Sequence, residues 1–494
     1  MKKIASLLLV MLLAAGAASA QALTLTGLAN ETIGRVWEEN RFFPRMEALT
    51  GIPVTAHGVQ ETAEYEEILN RMLTGALPAD VLFKSNLTRQ QEIDLLNAGA
   101  LIDLAPLIEE NMPHLAALLA DHPEWRDIIT LDDGRIASLP LFNPAERQVC
   151  VFINKVWLDD LGLAMPKTLD ELTEVLTAMK NGDPNKNGKH DEIAADLMGV
   201  FEMRWLLPYF GIVADDSHIA RSADGSFVFA PELPAYRDFI ALLRDWTDKG
   251  LLEDTAFTGM HSMTARNAGR QDQPPISGLI VSPTPFTHVN ASHICDYEAL
   301  LLPAPDGEIY WRDFLGEVWT GCFAVTSTCE NPAEALRWAD ALYTEEGALL
   351  AYAGIEGEDY TFDASGSWGF SAKNAQEASA IRSGSLIYTG APIPALYPAD
   401  FIAKVNSPAD VHVMTQSKLV QAHSTCVAPA YFLPADKQVR ADELALTVGA
   451  EVECGIARFA SGEVELTDET YADWQNTLRE AGSEELVSLY NSAR

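Results

Sequence analysis

Apolar runs and helix-like segments alternate along the first part of the chain. Clusters of β-branched and other apolar residues predict strands at 23–26, 52–56 and 79–83. Apolar residues recurring every three to four positions predict helices at 35–49, 61–75 and 87–98. This alternation is typical of a parallel sheet with helices on both faces.

A second α/β unit begins at the apolar run 149–153. Thr168 and Glu171 have the spacing of a capping box, in which each side chain bonds an amide at the helix start. Asn331 is predicted to cap a helix that reaches about Thr344. Other elements predicted by the same patterns are a hairpin at Asp133-Gly134, a strand at 278–281, and helices at 436–459 and 468–490.

The order of these elements predicts two α/β lobes, each with a mixed sheet. No internal repeat or Gly/Ser-rich linker separates them, so several short crossovers are expected to form the hinge. Lobe one is predicted to take residues 21–142 plus about 320–360. Lobe two is predicted to take 143–319 plus about 361–494.

The first twenty residues have the pattern of a secretory signal. Lys2 and Lys3 precede the apolar run 4–15, and the small residues Ala18-Ser19-Ala20 follow as a cleavage site. We therefore expect an exported protein, periplasmic or extracellular. Because no cysteine lies near the cleavage point, we expect it not to be lipid-anchored.

Charge and cysteine content limit the partners. The chain has 71 acidic against 34 basic residues, a net charge of −37. This field repels nucleic acid and anionic lipid, and it makes a polyanionic ligand less favourable. Six widely spaced cysteines allow 15 pairings, so buried thiols and one or two disulfides both remain open. They are Cys150, Cys295, Cys322, Cys329, Cys426 and Cys454.

The segment 183–192 has oxygen-bearing side chains at calcium-loop spacing. These donors are Asp183, Asn185, Asn187, Asp191 and Glu192. Gly188 stands where such a loop turns sharply, and Lys189 follows where a backbone carbonyl is used. An EF-hand would close with an acid at the position of Ala194, so Glu192 is expected to supply the closing carboxylate. The pattern predicts structural calcium; a solvated Asn/Gly turn is the alternative.

Several segments resemble the extracellular solute-binding proteins of ABC importers. The similarity is to the long family 1 receptors, which include alginate-oligosaccharide and lipoprotein-type oligosaccharide binders. It rests on the segments 157–163, 166–172, 183–192 and 354–360, with shorter matches at 50–52, 78–81 and 460–462. The resemblance implies a periplasmic-binding-protein-like fold whose lobes close on a ligand, a calcium site at 183–192, and a monomer that delivers carbohydrate to ABC permease subunits. The acidity of the chain argues against alginate itself.

Ligands of doubly wound sheets bind beyond the carboxyl ends of strands. Asn86, Phe142, Asn143 and Phe286 follow predicted strands and are candidates for the cleft. A sugar cleft also needs aromatic faces and hydrogen-bonding groups. The further candidates are Arg204, Trp205, Trp311, Arg312, Trp319, Tyr360 and Trp368. Each tryptophan has a place in a core as its alternative.

A receptor without catalytic activity is expected. A secreted glycosidase or lyase is the alternative, and it would need two carboxylates across the scissile bond, for which Glu317, Glu356 and Asp363 are available. The chain has no nucleophile elbow, metalloprotease helix or phosphate-binding glycine loop. A signalling or adhesion module built on the same two lobes is a third possibility.

Overall fold

The computed structural model describes most of the chain. The described residues are 22–29, 36–131, 133–144, 147–252, 254–257, 273–283, 285–313, 318–363, 368–405, 407–428 and 433–493. The predicted signal segment 1–20 and Glu317 lie outside them. Within them, no helix is both long and apolar enough to cross a bilayer.

The strands are short, and several contain only two or three residues. In chain order they are β1 Leu23–Leu28, β2 Val54–Val59, β3 Val81–Phe83, β4 Leu139–Phe142, β5 Cys150–Asn154, β6 Ile193–Asp196, β7 Ile219–Arg221, β8 Phe227–Phe229, β9 Ser277–Ser282, β10 Tyr297–Ala299, β11 Trp311–Arg312, β12 Val318–Val325, β13 Tyr360–Phe362, β14 Trp368–Phe370, β15 Ala395–Leu396 and β16 Ser424–Thr425.

The α-helices pack against the sheets, and the helices near the C-terminus belong to the core of lobe two. They are α1 Phe42–Thr50, α2 Thr62–Met72, α3 Arg89–Asn97, α4 Ala105–Asn111, α5 Pro113–Asp121, α6 Pro123–Ile129, α7 Lys155–Leu161, α8 Leu169–Asn181, α9 Val200–Met203, α10 Pro234–Asp248, α11 Pro332–Asp340, α12 Glu345–Tyr352, α13 Ala375–Ser385, α14 Ala399–Val405, α15 Pro408–Gln421, α16 Ala435–Ser461, α17 Asp468–Glu480 and α18 Ser483–Ser492.

Amphipathic spacing explains how these helices pack. Along α10, every buried side chain falls at helical spacing, so one stripe of the helix faces the core of lobe two. The stripe consists of Tyr236, Phe239, Ile240, Leu243 and Trp246. The polar residues between them remain on the solvent side.

Lobe one is built on a six-stranded sheet in the order β15-β4-β12-β3-β1-β2. The central strand β12 is antiparallel to β3 and β4, and the other pairings are parallel. Lobe two is built on a four-stranded sheet in the order β10-β5-β9-β6, in which β6 and β9 are parallel. The two lobes predicted from the sequence, each with a mixed α/β sheet, are confirmed.

The extent of lobe one differs from the prediction. Ala395 of β15 pairs with Leu141 of β4, and Ile387 and Ile393 are buried in the core of lobe one. The returning segment therefore continues past 360 to the end of β15. A two-residue edge strand carries no alternation that the sequence could reveal.

Local predictions were also corrected in detail. Ile129 ends α6 and is not in a strand, so the turn at Gly134 follows a helix. The Thr168 hydroxyl accepts from the Glu171 amide, but the Glu171 carboxylate accepts from Lys167 instead of Thr168. The predicted helix at 468–490 is interrupted at Gly482, where φ is 110°. Asn331 occupies the cap position of α11, but its side chain makes no capping hydrogen bond to the start of the helix.

Candidate functional site

The carboxyl ends of the lobe one strands meet at one edge of the sheet. β3, β4 and β15 end there, and antiparallel β12 begins there, with Val318 opposite Phe142. The chain also leaves and re-enters lobe one at this edge, after Phe142, before Val318 and after Leu396. The edge therefore faces the crossovers and lobe two. Asn86, Asn143, Trp319 and Tyr397 all lie along it.

Trp319 is the exposed aromatic residue of this edge. Its side chain is 36% exposed, and the register of β12 against β4 shifts between Trp319 and Phe323. Gly321 lies in this bulge with φ of 73°, and its amide donates to the Ser138 hydroxyl at 2.8 Å. Bulges often redirect a side chain near a functional site. Trp319 thus remains a candidate for ligand contact.

The turn after β3 contains two residues in the left-handed conformation. Lys84 has φ of 55° and Asn86 has φ of 46°, values that non-glycine residues rarely adopt. Between them, the Ser85 hydroxyl donates to the Gly321 carbonyl at 2.6 Å, which joins the turn to the bulge. Such strain tends to be kept at functional sites. Asn86 is exposed at this turn, as a ligand contact requires.

Lys84 is fully buried and holds the segment 387–391. Its ammonium donates to the carbonyls of Ile387 and Thr389, each at 2.9 Å, and to that of Ala391. Three acceptors match the three hydrogens of an ammonium group. Burial lowers the pKa of Lys84 to about 7.

Two phenylalanines lie at the corresponding edge of lobe two. Because β6 and β9 are parallel, the segments that follow them leave the sheet at the same end. Phe201 on α9 is 44% exposed and Phe286 after β9 is 39% exposed. Phe286 was predicted from its position after a strand. Phe201 was not among the predicted residues; it lies two residues after Gly199, in the segment that follows β6.

Four predicted residues do come together, but as a packed cluster. The rings of Trp205 and Trp311 are 6.3 Å apart, and the guanidinium carbon of Arg312 lies 5.0 Å from the Trp205 ring centre. Trp311 is fully buried and its indole donates to the Val149 carbonyl at 2.9 Å, while Trp205 is 6% exposed. Both rings pack in the core of lobe two, although Trp205 also lines a small cavity together with Arg204 and Arg312. Their burial does not support ligand contact, which stays a prediction.

The two arginines of this cluster both approach one exposed carboxylate, that of Asp216. Arg312 pairs with the Asp216 carboxylate at 2.8 Å, and Arg204 lies 3.7 Å from the same group. Arg204 also approaches the buried His218 ring at 3.5 Å. A ligand role for Arg204 and Arg312 stays a prediction.

Two further predicted contacts are core residues of lobe one. Phe142 is fully buried and stacks on Trp125 at 4.4 Å, so its predicted cleft position is wrong. Tyr360 is 5% exposed and packs edge-on against Phe401 at 5.4 Å, which also contradicts a cleft role. Trp368 is half-buried beside Tyr360 in the same small cluster. Its role, like that of the half-buried Asn143, stays a prediction.

The segment 183–192 forms a loop in which polar side chains bond its own backbone. The Asp183 carboxylate accepts from the amides of Asn187 and Gly188, both at 3.0 Å. Gly188 has φ of 73°, as the predicted sharp turn requires. The Asn187 side chain donates to Asp191 at 2.9 Å.

Asn185 and Lys189 complete the predicted ligand set. The Asn185 amide donates to the Pro275 carbonyl at 3.3 Å, which joins the loop to the segment before β9. The backbone amide of Lys189 donates to the Asn187 side-chain oxygen at 2.8 Å. The predicted ligands thus lie on one short, internally bonded loop.

Glu192 is electrostatically unsatisfied in this loop. Both of its carboxylate oxygens are buried without a hydrogen-bond partner. Burial raises the pKa of Glu192, and the nearby Asp191 and Asp183 carboxylates raise it further. Among the described residues, no three acidic, histidine or cysteine side chains already form a ligand cluster. The donor chemistry nevertheless fits calcium, since a cation would stabilise the orphaned carboxylate and hard oxygen donors suit that ion.

The segment 354–360, one of those carrying the family resemblance, has a structural explanation. Gly354 has φ of 84°, and a Cβ atom there would lie 2.3 Å from the Asp359 carboxylate. Asp359 is buried and pairs with Arg45 at 2.6 Å. The segment therefore anchors α1 to the returning half of lobe one.

All six cysteines, each within the described residues, are free thiols.

Two α/β lobes joined by three crossovers define a two-lobed binding-protein fold, and comparison with known proteins agrees. The chain is 30% identical over 337 residues to FusA, a fructooligosaccharide ABC transporter substrate-binding protein of Streptococcus pneumoniae serotype 4. The match covers 65% of this chain and 61% of that protein, so the chain aligns with less than two thirds of its relative. We find no family model that matches the chain.

Solved structures extend the likeness over nearly the whole chain. An HMO-binding solute-binding protein associated with an ABC transporter of Bifidobacterium longum infantis has a TM-score of 0.78 and 20% identity, with 96% of this chain and 98% of that chain covered. An EF-hand mutant of Streptococcus pneumoniae FusA in complex with fructo-nystose has a TM-score of 0.70 and 21% identity, with the same coverage. The fold is that of the solute-binding proteins, and the resemblance predicted from the sequence is confirmed.

Proposed function

We propose that this protein is the extracytoplasmic solute-binding receptor of an ABC importer and that it captures an oligosaccharide between its lobes. The observation that carries the proposal is the presence of exposed aromatic rings at both strand edges. Trp319 lies on lobe one, and Phe201 and Phe286 lie on lobe two. Aromatic faces pack against the C–H faces of sugar rings, so two such edges could hold a sugar chain from both sides.

The relatives support this proposal. FusA is described as a fructooligosaccharide receptor, and its fold extends over nearly all of this chain. The predicted export signal supports an extracytoplasmic location, and the predicted partners are the permease subunits of the importer. A ligand that contacts both lobes favours the closed state, which a permease can recognise.

The binding proposal predicts a large effect of Trp319→Ala. We expect kestose or nystose to bind the wild-type protein with a stoichiometry near one and without being consumed. Loss of the Trp319 ring should weaken that binding at least about tenfold, or about 1.4 kcal/mol. Isothermal titration calorimetry measures the affinity, and chromatography of the sugar detects any cleavage.

Phe362→Ala is the matched control for this experiment. Phe362 is also an aromatic residue of lobe one and is also 36% exposed, but it lies in β13, outside the strand edge. Its removal should leave the affinity unchanged. Release of shorter sugars would favour the glycosidase or lyase, and equal losses in both variants would contradict the proposed position of the site.

We also propose that the loop 183–192 binds a structural calcium ion through Asp183, Asn185, Asn187, the Lys189 carbonyl, Asp191 and Glu192. The orphaned carboxylate of Glu192 supports this assignment. The EF-hand described for FusA, whose mutant structure has the same fold, also supports it. A calcium ion there would offset two of the three negative charges of Asp183, Asp191 and Glu192 and fix the loop between α8 and β6; no catalytic role is implied.

The calcium proposal predicts different behaviour of two glutamate variants. Protein purified without chelator should contain about one equivalent of calcium, as measured by atomic emission, and chelator should lower its melting temperature. Glu192→Gln should lose most of this calcium, because the closing carboxylate loses its charge. Glu174→Gln, an exposed change on α8, should retain it. Less than a tenth of an equivalent in the wild-type protein would contradict the proposal.

A further inference from the structure

Three tyrosine rings form a continuous aromatic surface beside the edge strand β15. The Tyr352 and Tyr388 rings are stacked, with centres 5.1 Å apart and planes at 20°. Tyr397 meets Tyr352 edge-on at 5.2 Å. All three side chains are half-buried, so part of each remains accessible. None of them was singled out by the sequence.

The position of these rings follows from the strand edge. Tyr397 directly follows β15, and its amide donates to the Phe142 carbonyl at the end of β4, at 2.8 Å. Tyr352 is the last residue of α12. The cluster therefore lies at the same carboxyl edge as Trp319, but towards the outer strand of the sheet.

Hydrogen bonds from a buried lysine fix the main-chain segment that carries Tyr388. The carbonyls on either side of Tyr388, those of Ile387 and Thr389, both accept hydrogen bonds from the buried Lys84 ammonium. Ile387 itself is fully buried. A ring on a segment fixed in this way loses little conformational freedom when a ligand stacks on it.

We infer that Tyr352, Tyr388 and Tyr397 form a second sugar-binding subsite, which takes a ring of the oligosaccharide beyond the one contacted by Trp319. This inference rests on the proposed function. Tyrosine suits the task because its face packs on sugar C–H groups while its hydroxyl can bond sugar hydroxyls.

The strand order gives the size of the ligand. β15 and β12 are separated by β4, so the two aromatic positions are two strand spacings apart, or about 10 Å. One sugar ring cannot cover that distance. The ligand should therefore be an extended chain of several units, and its affinity should increase with chain length until both subsites are filled.

The test is a length series measured on four proteins: wild type, Tyr388→Leu, Tyr388→Phe and Tyr397→Leu. The probe is an array of linear oligosaccharides, from one to six units, that includes fructans. On the series that the wild-type protein binds, Tyr388→Leu should weaken the longest members about tenfold and change the shortest bound member less than twofold. Tyr388→Phe should retain most of the affinity because it keeps the ring. Tyr397→Leu provides a second disruption if Tyr388→Leu does not fold, as judged by circular dichroism.

The possible results distinguish failure of the tyrosine subsite from failure of the proposed receptor function. Equal affinities of wild type and both leucine variants for every length would overturn the subsite. A uniform loss at all lengths would also overturn it, because the change would then act on the Trp319 site or on the fold. Binding of single sugars only would overturn both the second subsite and the oligosaccharide ligand, and would leave a receptor for single sugars. If the wild-type protein binds no member of the array, both proposals fail.

Discussion

Asp359→Asn should lower the free energy of unfolding by about 3–5 kcal/mol at neutral pH, the cost of breaking a buried ion pair. The Asp359 side chain is completely buried, and one carboxylate oxygen lies 2.6 Å from Arg45 and 2.9 Å from the Ile355 amide. The other oxygen lies 3.3 Å from Arg41. Asparagine removes the charge and leaves Arg45 without its buried partner. Urea unfolding measures the change.

Glu358→Gln is the control for this prediction. Glu358 pairs with the same Arg45 at 2.9 Å, but its side chain is 61% exposed. Surface pairs contribute little, so we expect a change below about 0.5 kcal/mol. If the two variants lose similar stability, burial does not determine the importance of Asp359.

The ion pair between Asp359 and Arg45 should also make the stability of the protein depend on pH. Burial alone would raise the pKa of Asp359, but the Ile355 amide and Arg45 lower it below its ordinary value of 3.8. The stabilisation is therefore complete above pH 3.8 and is lost as the pH falls through the lower pKa of the folded state. The stability difference between wild type and Asp359→Asn should be constant from pH 5 to 7 and should shrink below pH 3.8.

Gly321→Ala should strongly destabilise the protein. A Cβ atom at Gly321 would lie 2.2 Å from the Leu87 carbonyl oxygen and 2.6 Å from its nitrogen. These are backbone atoms of the strained turn after β3, so they cannot simply rotate away. Backbone strain at φ of 73° and overpacking together should lower the free energy of unfolding by about 2–5 kcal/mol. Because the bulge positions Trp319, sugar affinity should fall as well.

Gly51→Ala separates the two causes. Gly51 also has φ of 73°, but a Cβ atom there would meet nothing within 4 Å. Its substitution should therefore show the conformational cost alone, about 1 kcal/mol. Urea unfolding of both variants gives the comparison. Equal losses would mean that the bulge can move to accept a side chain.

Local patterns predicted the sharp turn of the loop 183–192 and the strands β1, β2, β3, β5 and β9, because their determinants lie within a few residues. The donors of 183–192 are contiguous, and β1, β3 and β9 are short apolar runs. The number of lobes was also predictable from the alternation of elements. These features depend little on distant contacts.

The accessibility of individual aromatic residues was not predictable in the same way. Trp311 and Trp319 lie close together in the sequence, yet one is fully buried and the other is 36% exposed. The difference depends on the bulge at Gly321 and on packing against Trp205, both determined by distant segments. The tyrosine surface was missed for the same reason, since it joins α12, the segment held by Lys84 and the end of β15.

The position of β12 has a consequence for the order of folding. β12 separates β3 from β4, yet the lobe two strands β5 to β10 are synthesised between β4 and β12. Until β12 and β15 leave the ribosome, β4 has neither of its neighbours and one side of β3 is unpaired. A nascent chain in that state presents open strand edges, which favour association with other chains. The sheet of lobe one can therefore be completed only after the chain has been synthesised as far as Leu396.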